Sequence, residues 1–248
     1  MAFHPSTRRA HECMTCELRA SRTFCNLHQD ALLKFAGIGE QLLLEQGVTI
    51  YREGTASSGV FVICTGQVKL SCTSKAGRTL ILKIADPGEV LGLGSVLSGS
   101  RHLLTAETIQ PTELKSIRRE EFLPLLESQA EASFHAAKAL SEEYKTAFFD
   151  ARRLALSGSA AARTATVLLD WGRASSSGKS EMRITMTLTH EELSHLVGGS
   201  RETVTRVLGR FKRDKLIEIN GSSIVILAPE RLERLAVSSG CSRKITVL

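Results

Sequence analysis

The chain has 248 residues, 42% of them apolar and 23% charged, with 32 Lys and Arg against 26 Asp and Glu. The length fits one large domain or two small ones, and the composition supports a folded core, which excludes disordered, collagenous and low-complexity classes. No apolar run reaches the length of a membrane span and the opening Met1-Ala2-Phe3-His4-Pro5 has no leader-like apolar stretch, so a cytoplasmic protein without a membrane partner is expected.

Residues 1–28 are polar, hold Cys13, Cys16 and Cys25, and read as an arm rather than a core element. In a reducing compartment such thiols suit metal or redox chemistry better than a disulfide framework. From about Gly47 to Ile117, short runs rich in Val, Ile, Leu and Thr (60–64, 68–74, 79–85 and 112–117) alternate with glycines. Strands at that spacing predict an all-β roll or sandwich, with Lys75-Ala76-Gly77-Arg78 as a hairpin turn. Cys64 and Cys72 fall in this strand-like text and, taken singly, read as small apolar side chains.

From Glu120 to about Leu156 there is no Gly, one Pro (Pro124), and a density of helix formers. Phe134, Ala137, Ser141, Tyr144, Phe148, Ala151 and Ala155 recur at alternating spacings of three and four, a heptad seam through which one helix can pair with its copy. The competing reading is a helix packed only on its own β domain. Ser157-Gly158-Ser159 marks a hinge, residues 160–172 a further helix, and 175–180 a surface loop; Trp171 is expected in the core of the C-terminal domain.

The C-terminal part concentrates the basic charge: residues 151–248 have a balance of +7, while residues 1–150 have −1. Such asymmetry suits a polyanion-binding module beside a near-neutral one. Within it, Thr189-His190-Glu191-Glu192 has the form of a capping box opening a helix. Gly198-Gly199 permits a tight turn, and Ser200 caps a second helix whose Val204, Val207, Leu208 and Phe211 face inward. Arg201, Glu202, Thr205 and Arg206 share its outer N-terminal face. Lys215–Ile219, a turn at Asn220-Gly221 and residues 224–226 complete a β wing. This is a helix-turn-helix with a wing, built to enter a major groove. Arg can bond guanine O6 and N7 and Glu can accept from cytosine N4, while Lys212, Arg213 and Lys215 suit phosphates. His190 and His195 read as solvated or near phosphate rather than as metal ligands. No nucleophile elbow, phosphate loop or zinc-protease motif is present, so an enzyme is not expected.

The order of glycine-rich β segment, long helix and "LTHEELSHLVGGSRETVTRVLGRFKRDKLIEI" resembles the superfamily of the cyclic-AMP receptor protein and the oxygen-sensing fumarate-nitrate regulator (CRP/FNR), over about Leu32 to Leu235. Ser200-Arg201-Glu202-Thr203-Val204 is its most specific segment. The resemblance implies an α+β chain: a cysteine-containing arm (1–28), a β-roll effector-sensing domain of the cyclic-nucleotide-binding-like jelly-roll type (29–128), a dimerisation helix (129–157), a winged helix-turn-helix (158–237) and a tail (238–248). It implies a homodimeric transcription regulator that binds double-stranded DNA at a palindrome and works with RNA polymerase. Thr189, Ser200, Arg201, Glu202, Thr205, Arg206 and Lys212 would form the DNA face, and the Arg201/Glu202/Arg206 set implies a GTGA-like half-site.

The roll departs from the nucleotide-binding pattern. Leu93, not Glu, follows Gly92, and His102-Leu103-Leu104-Thr105-Ala106 lacks the phosphate-gripping Arg; Arg101 lies two positions out of register. An effector pocket is expected around Gly92, Leu93, Arg101, Leu103 and Phe148, and cyclic AMP is not expected to bind in the usual way, because a buried phosphate needs a charged partner. Cys13, Cys16 and Cys25 resemble the oxygen-sensing branch and imply an iron–sulfur cluster. Their eight-residue gap is longer than that branch's five, and its central cysteine falls near Lys115. Cys64, Cys72 or His28 could complete four ligands; zinc, a thiol redox pair and inert thiols stay open. Two rivals to the redox-, gas- or ligand-responsive regulator are a metabolite- or metal-binding protein with a vestigial DNA domain, and a haem-based gas sensor of the same family.

Overall fold

Short runs of β-branched and other apolar residues set the first half of the chain into strands, and on β3 the two faces meet different cores. The structure, a computed structural model, describes residues 11–17, 19–22, 24–156, 159–175, 182–185, 188–221 and 223–237. His4, Gly158, Cys241 with the 238–248 tail, and most of the 175–180 loop lie outside the described residues, as does the side chain of Ala155. The chain divides into two units, residues 1–146 and 147–248.

The first unit holds β1 (Glu40–Leu44), β2 (Thr49–Tyr51), β3 (Gly59–Thr65), β4 (Val68–Thr73), β5 (Thr79–Ala85), β6 (Val90–Leu91), β7 (Thr105–Thr108) and β8 (Thr112–Arg118). They form two antiparallel four-stranded sheets, ordered β1-β8-β3-β6 and β2-β7-β4-β5. On β3, Ile63 turns between the sheets to meet Val68, Leu70, Ala85, Leu91 and Ala106. Its alternate residues Val60 and Val62 turn outward, beneath a helical layer of α1 (His11–Thr15), α2 (Gln29–Gly37), α3 (Leu93–Ser98), α4 (Arg119–Ser128) and the start of α5 (Ala130–Leu156). The strand β1 lies before Gly47 and escapes a reading based on glycine punctuation.

The expectation that residues 1–28 form an arm rather than a core element is corrected at Phe24 and Leu27. Phe24 is 1% exposed and packs edge-on against Phe35 at 5.6 Å and beside Phe122 at 5.9 Å, with Leu27 buried in the same cluster. Two apolar residues in polar text suffice to bind the segment as a strap, since fully burying a side chain such as Phe or Leu is worth roughly 1.5–3 kcal/mol.

The helix α5 uses Ala132 and Ala136 to approach the roll closely. Its seam residues Phe134, Ala137, Ser141, Tyr144, Phe148 and Ala151 are exposed on one chain. Among the described residues, no helix is long and apolar enough to cross a membrane.

The second unit holds α6 (Ala160–Ser175), β9 (Met182–Thr185), α7 (His190–Val197), α8 (Arg201–Arg213), β10 (Ile217–Asn220), β11 (Ser223–Ile226) and α9 (Pro229–Val237), with the sheet ordered β10-β11-β9. Its core joins Leu168, Leu193, Val204, Leu208, Phe211 and Ile224. Gly172 lets the wing approach α6: a Cβ there would meet Ile226 Cδ1 at 2.8 Å. Trp171 is half-buried. Two details differ from expectation. The strand β10 begins at Ile217, because Lys215 adopts a left-handed φ of 53° that ends α8 and turns the chain into the wing. The pairing of Asn220 with Ser223 places Gly221, not Asn220, at the first loop position.

Candidate functional site

The helix-turn-helix is set by local bonds. Thr189 N–H donates to Glu192 Oε2 at 3.0 Å and Glu192 N–H to Thr189 Oγ1 at 3.1 Å, closing the capping box of α7. Gly198 ends α7 at φ 65°, a left-handed conformation that costs glycine nothing. Ser200 Oγ accepts from Thr203 N–H at 3.2 Å and starts α8. A residue that carries no sequence signal locks the turn: Arg163 on α6 donates to the carbonyls of Val197 at 2.5 Å and Gly198 at 3.3 Å.

Arg201, Glu202, Thr205 and Arg206 are exposed together on the first two turns of α8, and Lys212, Arg213 and Lys215 are exposed at its far end. Hydrogen bonds from the Glu202 backbone N–H and the Ser200 hydroxyl hold the Glu202 carboxyl below the usual carboxylate range, so it is an ionised acceptor at neutral pH. Thr205 Oγ1 lies 3.2 Å from His190 Nδ1, tying α8 to α7. Such a face offers bidentate donors and an acceptor to base edges, with flanking point charges for phosphates.

Inside the roll, the expected effector residues Gly92, Leu93, Arg101 and Leu103 do not converge, and Phe148 belongs to the second unit. Leu93 is buried in the helical core, Leu103 is 78% exposed, Phe148 is exposed, and Arg101 is exposed with Nη1 donating to Gly54 O at 2.8 Å. The reason is local: Arg101 is held in a β-bridge to Ala56, so its side chain runs along the loop rather than into the roll. Gly92 does face the interior, at φ 78°, where a Cβ would meet His102 Cε1 at 3.2 Å. The space beside it is filled by side chains missed from sequence. The Tyr51 and His102 rings stack at 3.8 Å and 11°. Burial pushes the His102 pKa down, keeping the ring neutral. Burial, then the Glu143 carboxylate, raises the Tyr51 phenol, partly offset by the Gly92 N–H.

The thiols do converge. Cys13 on α1, Cys16 just beyond it, Cys25 and Cys64 line one cavity of about 180 Å³, together with Arg22, Gln41, Glu113 and Lys115. The pairing of β3 with β8 slips between Ile63 and Thr65, leaving Cys64 at a β-bulge, a device that re-aims a side chain. Arg22 donates to Cys64 O at 2.6 Å and reaches Cys16 Sγ at 3.9 Å. Burial pushes the Cys25 thiol up to about 11 and Cys64 up to about 12, with Arg22 opposing both shifts. The other possible fourth ligands are elsewhere. His28 bonds Glu131 at 2.6 Å, and Cys72 lies on β4 near Glu53. Among the described residues, no three His, Cys, Asp or Glu side chains are drawn together to hold a metal ion. The four sulfurs stand around a space instead of meeting at a point. In donor type and number they fit a polynuclear iron–sulfur group, which takes four thiolates, better than a preformed single-ion site.

The chain matches two protein families: the cyclic nucleotide-binding domain over residues 41–129 and the Crp-like helix-turn-helix domain over residues 162–235. It is 28% identical to the CRP-like cAMP-activated global transcriptional regulator of Mycobacterium tuberculosis, over 77% of this chain and 85% of that one. It is 25% identical to the nitrogen fixation regulation protein FixK of Bradyrhizobium diazoefficiens, over 92% and 95%. The solved FixK2 structure from Bradyrhizobium japonicum superposes with a TM-score of 0.70 at 24% identity, covering 80% of this chain and 97% of that one, a likeness of fold. These relatives are regulators and not enzymes. A cyclic nucleotide-binding-like β-roll joined by a long helix to a Crp-like winged helix-turn-helix makes this chain a member of the CRP/FNR superfamily of DNA-binding transcription regulators.

Proposed function

We propose that the protein acts in the cytoplasm as a homodimer, paired through the exposed seam of α5, that reads a GTGA-like palindrome and works with RNA polymerase under a redox or gas signal. The observation that carries the DNA reading is α8, started by the Ser200 cap, which presents Arg201, Glu202 and Arg206 outward on one face. A vestigial domain has no need of such a set. Two-fold pairing would space the half-sites about one helical turn apart. Titration of a GTGA-bearing palindrome and a scrambled duplex by fluorescence anisotropy tests this: wild-type protein is expected to prefer the palindrome, and Arg206→Ala to narrow that preference. Equal binding of both duplexes by wild type sinks the reading.

For the signal, we propose that Cys13, Cys16 and Cys25, with Cys64 as fourth ligand, hold an iron–sulfur cluster, supported by their shared cavity. Their own part is to bind the group and to tie the strap to the roll, so that its loss frees the strap beside α5. Cyclic AMP is not the effector in this reading, because the Tyr51–His102 stack occupies the space beside Gly92 and supplies no cation for a phosphate. Calorimetric titration showing micromolar cyclic-AMP affinity coupled to tighter DNA binding would overturn that part.

A further inference from the structure

Two cations of the first unit sit where cations are rarely found. Lys115 is 4% exposed and Arg22 7% exposed. Lys115 projects from the middle of β8, where its row neighbours across the sheet are Gln41 and Val62. Its ammonium donates to Ala36 O at 3.1 Å and lies 5.4 Å from the centre of the Phe35 ring. Arg22 lines the same cavity from the strap, packed against Gly88 and bonded to Cys64 O. Neither a carbonyl nor a ring supplies a full countercharge, and a buried cation is costly without one. The groups that face Lys115 electrostatically are the thiols of Cys13, Cys64 and Cys25 and the Glu121 carboxylate. Arg22 faces Cys25 and Cys64. Two buried cations therefore line a cavity that also presents the four thiols, Arg19 and the Glu113 carboxylate, among apolar neighbours that include Leu32, Phe35 and Val62.

That pattern is wasteful around four neutral thiols and apt around four thiolates. Thiolates gathered on a metal–sulfur core outweigh its charge and leave the whole group anionic. An anion in a space this small needs fixed cations to offset desolvation. The same cations favour the reduced form, which carries one more negative charge, and protein charge and hydrogen bonding near the sulfurs are known levers on such potentials.

We infer that Lys115 and Arg22 are the built-in counter-cations of an iron–sulfur group held by Cys13, Cys16, Cys25 and Cys64, and that they raise its reduction potential. They act through the ligands and not as ligands, and they can do so only if the four thiols bind the group as proposed for the signal. Lys115 thus stands where a ligand would otherwise reach in from β8, and the bulge at Cys64 supplies the sulfur from the neighbouring strand.

The test is anaerobic reconstitution of the full chain with ferrous iron and sulfide, read by iron and sulfide content, visible absorption and midpoint potential. Wild type is expected to load, and Cys64→Ser to lose most of its iron and sulfide. Lys115→Met is expected to load with a lower midpoint potential and faster bleaching in air, while Lys115→Arg returns both towards wild type. Arg22→Gln keeps a donor for Cys64 O but removes the charge, and is expected to shift the potential in the same direction. It also decides the matter if Lys115→Met does not fold. Wild-type potentials in Arg22→Gln, and in Lys115→Met where it folds, overturn the counter-cation role while leaving the ligand reading intact. A wild-type chain that takes up no iron and sulfide overturns the ligand reading, and the counter-cation role with it.

Discussion

The outer face of α8 and the cavity beneath the N-terminal strap both collect basic side chains, in opposite surroundings. Arg201 and Arg206 stand in water, where a charge costs little and waits for an outside polyanion. Lys115 and Arg22 are stripped of water, where a charge is retained only if something inside repays the desolvation. The first arrangement is a surface for a partner the chain does not contain. The second is an interior for a small anionic group. Exposure, rather than the count of cations, separates the two roles.

The largest effect should come from cutting the strap loose, which would break the buried side of that contrast. Phe24 fills the aromatic cluster with Phe35 and Phe122. Phe24→Ala should cost about 3–5 kcal/mol of stability, the range for aromatic truncation in a packed core. Urea denaturation measures it, and limited proteolysis should cut the freed strap near residues 11–25. A change below about 1 kcal/mol would mean the strap is not part of the core.

The next effect sharpens the exposed side. Arg206→Ala should cost about 1–3 kcal/mol on the specific duplex and relax specificity at one base position. Lys212→Ala should weaken all sequences alike and lower the salt slope by about one. Equal losses on specific and random DNA for Arg206→Ala would reassign it to the backbone.

Smaller again is the support beneath that face. Thr189→Ala removes one half of the capping box and should destabilise the second unit by about 1 kcal/mol, with up to about 2 as the upper range. The fluorescence of Trp171, the single tryptophan, reports that unit alone. Unchanged unfolding would show that Arg163, which holds the turn from α6, carries the load by itself.

How legible each region is in the sequence depends on how local its causes are. The helix-turn-helix is legible because Thr189, Ser200 and Gly198 act within four residues of their own positions. The β3, β4, β5 and β8 runs are legible as Val-, Ile-, Leu- and Thr-rich stretches punctuated by glycines, and β1 is not, because it lies before Gly47, the first of those glycines. Two apolar residues, Phe24 and Leu27, turn an arm into a strap only through partners in α2 and α4. Lys115 reads as an ordinary strand lysine until the β8 register sets it beneath thiols from three other segments. Cys64 is one of three candidate ligands by sequence, and only the fold separates it from Cys72 and His28. The effector residues fail for the converse reason: spacing from Gly92 does not fix position, because the Ala56–Arg101 bridge decides where Arg101 points.

The smallest effect is a pair of pH dependences, one from each region. His102 is a base whose folded pKa is lowered from 6.5 by burial. The unfolded chain therefore binds the proton first, so this group's contribution is fully present above about 6.5 and declines as pH falls from there towards the lowered folded value. Glu202 is an acid whose folded pKa is lowered from 4.5 by its backbone N–H and Ser200. Its contribution is fully present above about 4.5 and is lost only as pH falls through the lower folded value. Both losses run the same way with pH but in separate windows and separate units. Denaturation followed from pH 7 down to about pH 2, by tyrosine circular dichroism for the roll and Trp171 fluorescence for the winged unit, distinguishes them. His102→Asn should flatten the slope below about 6.5 in the roll signal only, and Glu202→Gln should change only the acid end of the tryptophan signal. A roll signal with the same slope in His102→Asn would mean that the Tyr51–His102 stack opens to water before the fold does.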